Sequence, residues 1–224
     1  RKSTKTRASD VDKPRINRPE RPNDYALVVG IESYSGNDLP RADYAEHDAD
    51  ATAEHLLALG VPRRNMKILK GSDATYGKLT GYLESWLPKN VAESSRVYFY
   101  FSGHGSPSLQ NGAAFLLPWD GDPRLLDATA LPLKKVYASL GKLKAKEVVV
   151  VLDACFSGAG GRSVIPKGTR PLVVVSEAAA LPRNITSFAA SQGNEVTGSI
   201  EDQGHGIFTY YFLKGIEGGA KYST

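Results

Sequence analysis

Sulfur is scarce in this chain, with one cysteine, Cys155, and one methionine in 224 residues. A single cysteine excludes an intramolecular disulfide framework and every zinc site that needs two or more cysteines. A lone thiol suits a reducing interior better than a secretory one, so a cytoplasmic location is the expectation. No apolar run approaches the ~20 residues that a membrane helix needs, and no membrane partner is expected. Neither GxGxxG after the first apolar run nor GxxxxGK[ST] is found, so a nucleotide or flavin binder ranks last among the possible readings.

Charge is unevenly spread. The chain holds 28 Lys/Arg and 24 Asp/Glu, a formal net of +4. Residues 1–22 carry eight basic and three acidic residues, a net of +5. The other 202 residues therefore hold 20 basic and 21 acidic residues, a net of −1. The basicity belongs to one end and not to a surface built for nucleic acid, so no nucleic-acid partner is expected. Residues 1–22 are rich in charge and proline and poor in apolar residues. Such a segment reads as a flexible basic leader or linker, and residues 23–224 as one domain.

Within that domain, Tyr25–Ile31, Met66–Leu69, Arg96–Phe101 and Glu147–Leu152 are apolar runs of strand length. Ala113–Leu117, Leu172–Val175 and Ile185–Ala189 are shorter strands. Helices are expected over Ala42–Leu59 (ended by Gly60), Thr75–Leu87 (ended by Pro88), Leu133–Leu143 and Ile207–Ile216. Strands apolar on both faces, alternating with helices, predict an α/β fold with a mostly parallel central sheet and helices on both faces. Segments 102–130 and 156–170 are long and loop-like. Each starts at the C-terminal end of a strong strand, where open α/β sheets place their sites.

Those two loops carry the chemistry. One begins Ser102-Gly-His-Gly105 and the other Asp153-Ala-Cys-Phe-Ser-Gly158. If the two strands are neighbours, His104 and Cys155 emerge on one edge of the sheet. An imidazole beside a thiol can take its proton, and the thiolate is the nucleophile. The amides of Gly105 and Cys155 could face a developing oxyanion. Taken singly, a cysteine after an apolar strand is most often a small buried hydrophobe. The spacing of 51 residues between His104 and Cys155 favours the paired reading.

FYFSGHG at 99–105 and VVLDACFSG at 150–158 resemble the His and Cys motifs of caspase-like cysteine peptidases, most closely the metacaspases and the prokaryotic orthocaspases. The resemblance runs from about Asp24 to Gly218 and includes YALVVGIESY, AEHDADATAEHL and GHGIFTYYFL. It implies a caspase-hemoglobinase fold, with His104 as general base and Cys155 as nucleophile. It further implies that Asp48, Ser102 and Asp153 line the primary specificity pocket. Two carboxylates in a narrow cleft favour a cation, so cleavage after Arg or Lys is expected in protein or peptide substrates. Self-processing follows as an expectation, at Arg162, Lys167 or Arg170 in the loop past the nucleophile, where a boundary between large and small parts is also expected.

Two alternatives remain at this point: a non-catalytic caspase-like interaction module, and a related clan CD peptidase specific for Asp or Asn. Many metacaspases use calcium held by acids after the SGHG loop. Residues 106–119 contain no acid, and although Asp120, Asp122 and Asp127 follow, no metal or other cofactor is expected. His47 and His55 read as surface residues, and His205 as a helix-start residue rather than the base. A monomer is expected, with regulatory domains or subunits as possible partners.

Overall fold

The computed structural model describes residues 9–36, 39–108, 110–156, 181–190 and 198–218. The chain enters strand β1 (Tyr25–Gly30), turns into helix α1 (Ala45–Ala58) and returns through β2 (Met66–Lys70). A helical stretch follows as α2 (Tyr76–Gly81), a π-helical turn (Tyr82–Trp86) and α3 (Leu87–Asn90). Next come β3 (Arg96–Ser102), β4 (Gly105–Pro107), β5 (Ala114–Leu116), α4 (Leu126–Thr129), β6 (Leu131–Pro132) and α5 (Leu133–Gly141). The last elements are β7 (Glu147–Asp153), β8 (Ile185–Ala189), β9 (Ser199–Ile200), β10 (His205–Gly206) and α6 (Ile207–Ile216).

The central sheet has the order β2-β1-β3-β7-β8, and every pairing in it is parallel. The expected parallel α/β architecture is therefore what the chain adopts. Alternation along the strands divides the core into two halves. Leu27, Val29, Phe99, Phe101, Val150 and Leu152 pack toward Leu79, Leu83 and Leu87 of the α2–α3 stretch and Val136 and Leu140 of α5. Ala26, Val28, Tyr100 and Val151 pack toward Ala49, Ala53 and Leu56 of α1, with Phe208 and Phe212 of α6 alongside. Strands β1, β3 and β7 thus bury both faces, which is why the sequence reads as unbroken apolar runs rather than as alternating ones.

Two local features differ from expectation. The second helix does not stop at Pro88 but continues to Asn90, with the π-helical turn immediately before the proline. Pro88 has no N–H to return to the preceding turn, and the widened turn accommodates that loss. Strands β4, β5 and β6 form a small antiparallel sheet, and β9 and β10 a second; of these five, only β5 is legible in the sequence. The expected strand Leu172–Val175 lies outside the described residues.

Residues 9–22 also depart from expectation. They run against the body as an irregular strap. Val11 is buried with Ala51, Tyr210 and Leu213. The Arg18 and Arg21 amides donate to the carbonyls of Ala58 and Gly60 at 2.7 and 2.8 Å. Composition misleads here because the strap needs no core of its own. It adds one apolar side chain and a few backbone hydrogen bonds to a surface already formed.

Candidate active site

Register places the site. Gly30 pairs with Ser102 and Ser102 with Asp153, so these three residues form one row at the C-terminal edge of the sheet. They continue the face that packs on α1 and α6. His104 and Cys155 each lie two residues beyond the Ser102–Asp153 pair, on adjacent parallel strands. The two chains stay together past the strand ends, because the Gly103 amide donates to the Asp153 carbonyl at 3.3 Å. Gly105 lies directly against the cysteine. A Cβ there would sit 2.6 Å from the Cys155 carbonyl oxygen and 2.8 Å from the Phe156 ring, so only glycine fits. His104 and Cys155 are both buried.

The histidine is held from three sides. Its Nε2 donates to the Pro40 carbonyl at 2.7 Å. Its own amide donates to the Tyr34 hydroxyl at 2.6 Å, and the Tyr34 ring stacks on the imidazole with centroids 4.9 Å apart. The His104 carbonyl accepts from the Leu117 amide at 3.0 Å. A neutral imidazole whose Nε2 carries the donated hydrogen has Nδ1 as its basic nitrogen. The Pro40 carbonyl therefore sets the tautomer as well as the ring plane. Neither Tyr34 nor Pro40 is singled out by sequence reasoning. A backbone carbonyl leaves no residue-type signal, and Tyr34 sits in a loop with no helix or strand period.

The three residues expected to line a specificity pocket converge. Asp48 reaches the site because α1 packs closely on β1. A Cβ at Gly30 would meet the Ala45 carbonyl oxygen and would sit 2.7 Å from Ala49 Cβ. A larger residue at position 30 would hold the helix off the sheet. Ser102 Oγ donates to Asp48 Oδ2 at 3.4 Å. Asp153 Oδ2 accepts from the Thr209 hydroxyl at 2.6 Å and from the Thr209 amide at 3.3 Å. Thr209 Oγ1, which donates to Asp153, accepts in turn from the Tyr100 hydroxyl at 2.7 Å. Asp48 accepts from the Gly206 amide at 3.2 Å. Both carboxylates thus sit at the N-terminal end of α6, where the helix dipole favours negative charge.

Asp48 also meets a titratable partner. Asp48 Oδ1 is 2.7 Å from His205 Nδ1, and both side chains are fully buried. Burial alone would lower the His205 pKa. The contacts with Asp48 and with Asp12 outweigh it and raise the pKa, favouring the imidazolium. The hydroxyl and amide of Thr209 are neutral donors to Asp153.

Several expectations about other residues are corrected. His55 is not at the surface. It is buried, with Nδ1 on the Ala51 carbonyl at 2.9 Å and Nε2 3.1 Å from Glu217. His47 is part-buried and stacks on His205, with centroids 4.4 Å apart. The strap and α6 cover this face of α1, and contacts so distant in sequence leave no local signal. His205 does precede a helix, and its ring is taken up by Asp48. In the acidic loop, Asp120 accepts from the Tyr76 amide at the start of α2. Arg124 holds the Asp122 carboxyl down at about 2. Arg162, Lys167 and Arg170 lie outside the described residues.

The fold is shared with known proteins. A crystal structure of a protein from Geobacter sulfurreducens superimposes with a TM-score of 0.64 at 18% sequence identity, covering 88% of this chain and 83% of that one. At that identity the likeness is one of fold. No protein of curated function matches the sequence. The family model described as the caspase domain, of peptidase family C14, matches residues 23–224. That span includes the whole parallel sheet and both the His104 and Cys155 loops, and the chain therefore belongs to the caspase-domain family of cysteine peptidases.

Proposed function

We propose that this chain is a cysteine endopeptidase that cleaves after Arg or Lys with a Cys155–His104 dyad. The observation that carries the reading is the equal offset of His104 and Cys155 beyond the Ser102–Asp153 register pair. His104 Nδ1 takes the proton of Cys155 Sγ as the sulfur attacks the scissile carbonyl. The amides of Gly105 and Cys155 receive the oxyanion of the tetrahedral intermediate. Collapse breaks the C–N bond, His104 returns its proton to the leaving amine, and a thioester remains on Cys155. Water, deprotonated by His104, attacks the thioester and releases the acid product and the thiol.

Specificity for a cation rests on charge. Asp153, Asp48 and Ser102 lie together at the sheet edge, and two carboxylates there favour a cation. A guanidinium or ammonium brought beside Asp153 finds a charged acceptor. Self-cleavage at Arg162, Lys167 or Arg170 follows from the same preference.

The test is a fluorogenic panel with Arg, Lys, Asp or Asn at the cleaved position, run on wild type and on Cys155→Ala. Turnover of the Arg and Lys substrates by wild type alone is the expected result. Equal turnover by Cys155→Ala would remove the dyad, and a preference for Asp or Asn would remove the pocket assignment. Mass spectrometry of the two purified proteins reads self-processing. Fragments ending at Arg162, Lys167 or Arg170 in wild type only are expected, and the same fragments in both would refute it.

A further inference from the structure

Asp12, His47 and His205 come from three distant stretches of chain: the strap before β1, the first turn of α1, and β10. They meet at one point. Asp12 Oδ1 lies 2.9 Å from His47 Nε2 and 3.1 Å from His205 Nε2. One ligand atom from each of the three residues can be chosen so that all lie within 4.8 Å of one another. The two imidazoles stack nearly parallel, at an interplanar angle of 17°.

Each ring is held from behind. His47 Nδ1 donates to the Gly204 carbonyl at 2.7 Å, and His205 Nδ1 donates to Asp48 Oδ1 at 2.7 Å. A histidine whose Nδ1–H is committed to a carbonyl or carboxylate presents Nε2 as its ligand atom, the outer-shell arrangement that orients metal-binding histidines. Both Nε2 atoms point at the same carboxylate oxygen.

We propose that Asp12, His47 and His205 form a binding site for a divalent transition-metal cation, Zn²⁺ in the first instance, with water completing the coordination. Two imidazoles and one carboxylate are a donor set suited to zinc rather than to calcium or magnesium, which prefer oxygen. Tetrahedral zinc with bonds of about 2.0–2.1 Å spaces its ligand atoms about 3.3 Å apart. The two shorter separations here, 2.9 and 3.1 Å, reach that spacing by widening a few tenths of an ångström. The Asp12 and His47 side chains are 22% and 36% exposed, so the ion enters from solvent, while His205 forms the buried wall. Asp12 lies outside the matched residues 23–224, so one ligand is contributed by the strap. A bound ion ties that strap to α1 and to β10.

The spacing of His47 and His55 along one helix shows no third ligand, and the site becomes visible only when the chain ends are brought together. The proposal does not depend on the peptidase reading, and its test needs no cleavage. The full chain is prepared as Cys155→Ala, so that the thiol supplies no ligand, stripped with a chelator, and titrated with Zn²⁺ by calorimetry at neutral pH. One Zn²⁺ per chain is expected, with a rise in melting temperature on binding. Asp12→Asn and His47→Gln, both at part-exposed positions, should each weaken binding by about tenfold or more and abolish the rise. Near-ultraviolet circular dichroism checks that each variant keeps its fold, and if one does not, the other decides. No binding by the parent protein would overturn the proposal. So would binding of unchanged affinity in the folded variants, which is the outcome if the cluster is only a hydrogen-bonded His–Asp network.

Discussion

The hydroxyl of Thr209 gives the sharpest test of how the specificity edge is built. Thr209 is fully buried, and its Oγ1 donates to Asp153 Oδ2 at 2.6 Å while accepting from the Tyr100 hydroxyl at 2.7 Å. Thr209→Val keeps the shape and removes both bonds. A hydrogen bond to a charged group contributes about 1.5–3 kcal/mol and a neutral one about 0.5–1.5 kcal/mol. The expected loss is therefore about 2–4 kcal/mol, a large share of the ~5–15 kcal/mol that holds a domain folded. Tyr100→Phe removes the neutral bond to Thr209, whose loss should cost about 0.5–1.5 kcal/mol. The double variant loses the bond between Tyr100 and Thr209 once and not twice. Its cost should fall short of the sum of the two single costs by a coupling of about 1 kcal/mol in the double-mutant cycle. Urea unfolding of the four proteins measures it, with Thr209→Ser as the control that restores the hydroxyl. Additive losses, within about 0.3–0.5 kcal/mol, would refute the chain of bonds from Tyr100 through Thr209 to Asp153. So would a Thr209→Ser variant as unstable as Thr209→Val.

Two further predictions concern the same edge. Asp153→Asn keeps the side-chain shape and removes the negative charge at the sheet edge. Breaking a buried charge contact costs about 2–5 kcal/mol, so kcat/KM for an Arg substrate should fall by at least 30-fold; an unchanged value would remove Asp153 from substrate recognition. Gly30→Ala forces a Cβ to 2.7 Å from Ala49 Cβ and against the Ala45 carbonyl. It should cost about 1–3 kcal/mol in chemical unfolding by overpacking and raise KM by displacing α1 and with it Asp48. A neutral outcome in both assays would show that the helix does not depend on this close approach.

The parts legible in the sequence are those whose signal is local. The VVVVL run, the YFYF run and the first strand read as buried parallel strands because helices cover both faces. His104 and Cys155 stood out because each follows such a strand among glycines. Corrections fell where contacts span most of the chain. His55 and His47 looked like surface residues because α6 and the strap, which cover them, are remote in sequence. Residues 9–22 looked unable to order themselves because composition measures a segment's own apolar content, not the surface it lies on. The Pro40 carbonyl that sets the His104 tautomer is a backbone atom, which no side-chain pattern can announce.

By itself, the sequence determined the alternation of strands and helices, the class of fold and the two loops that hold the thiol and the imidazole. These follow from hydrophobic periodicity, turn residues and residue chemistry over short windows. Only the tertiary structure decided that β3 and β7 are neighbours in the register that pairs Ser102 with Asp153. It alone brought His205 to Asp48 and Thr209 to Asp153. It alone brought Asp12 to His47 and His205. Those outcomes depend on which surfaces meet when distant segments pack, and the cost and gain of that packing are set by the whole core, not by any window of the chain.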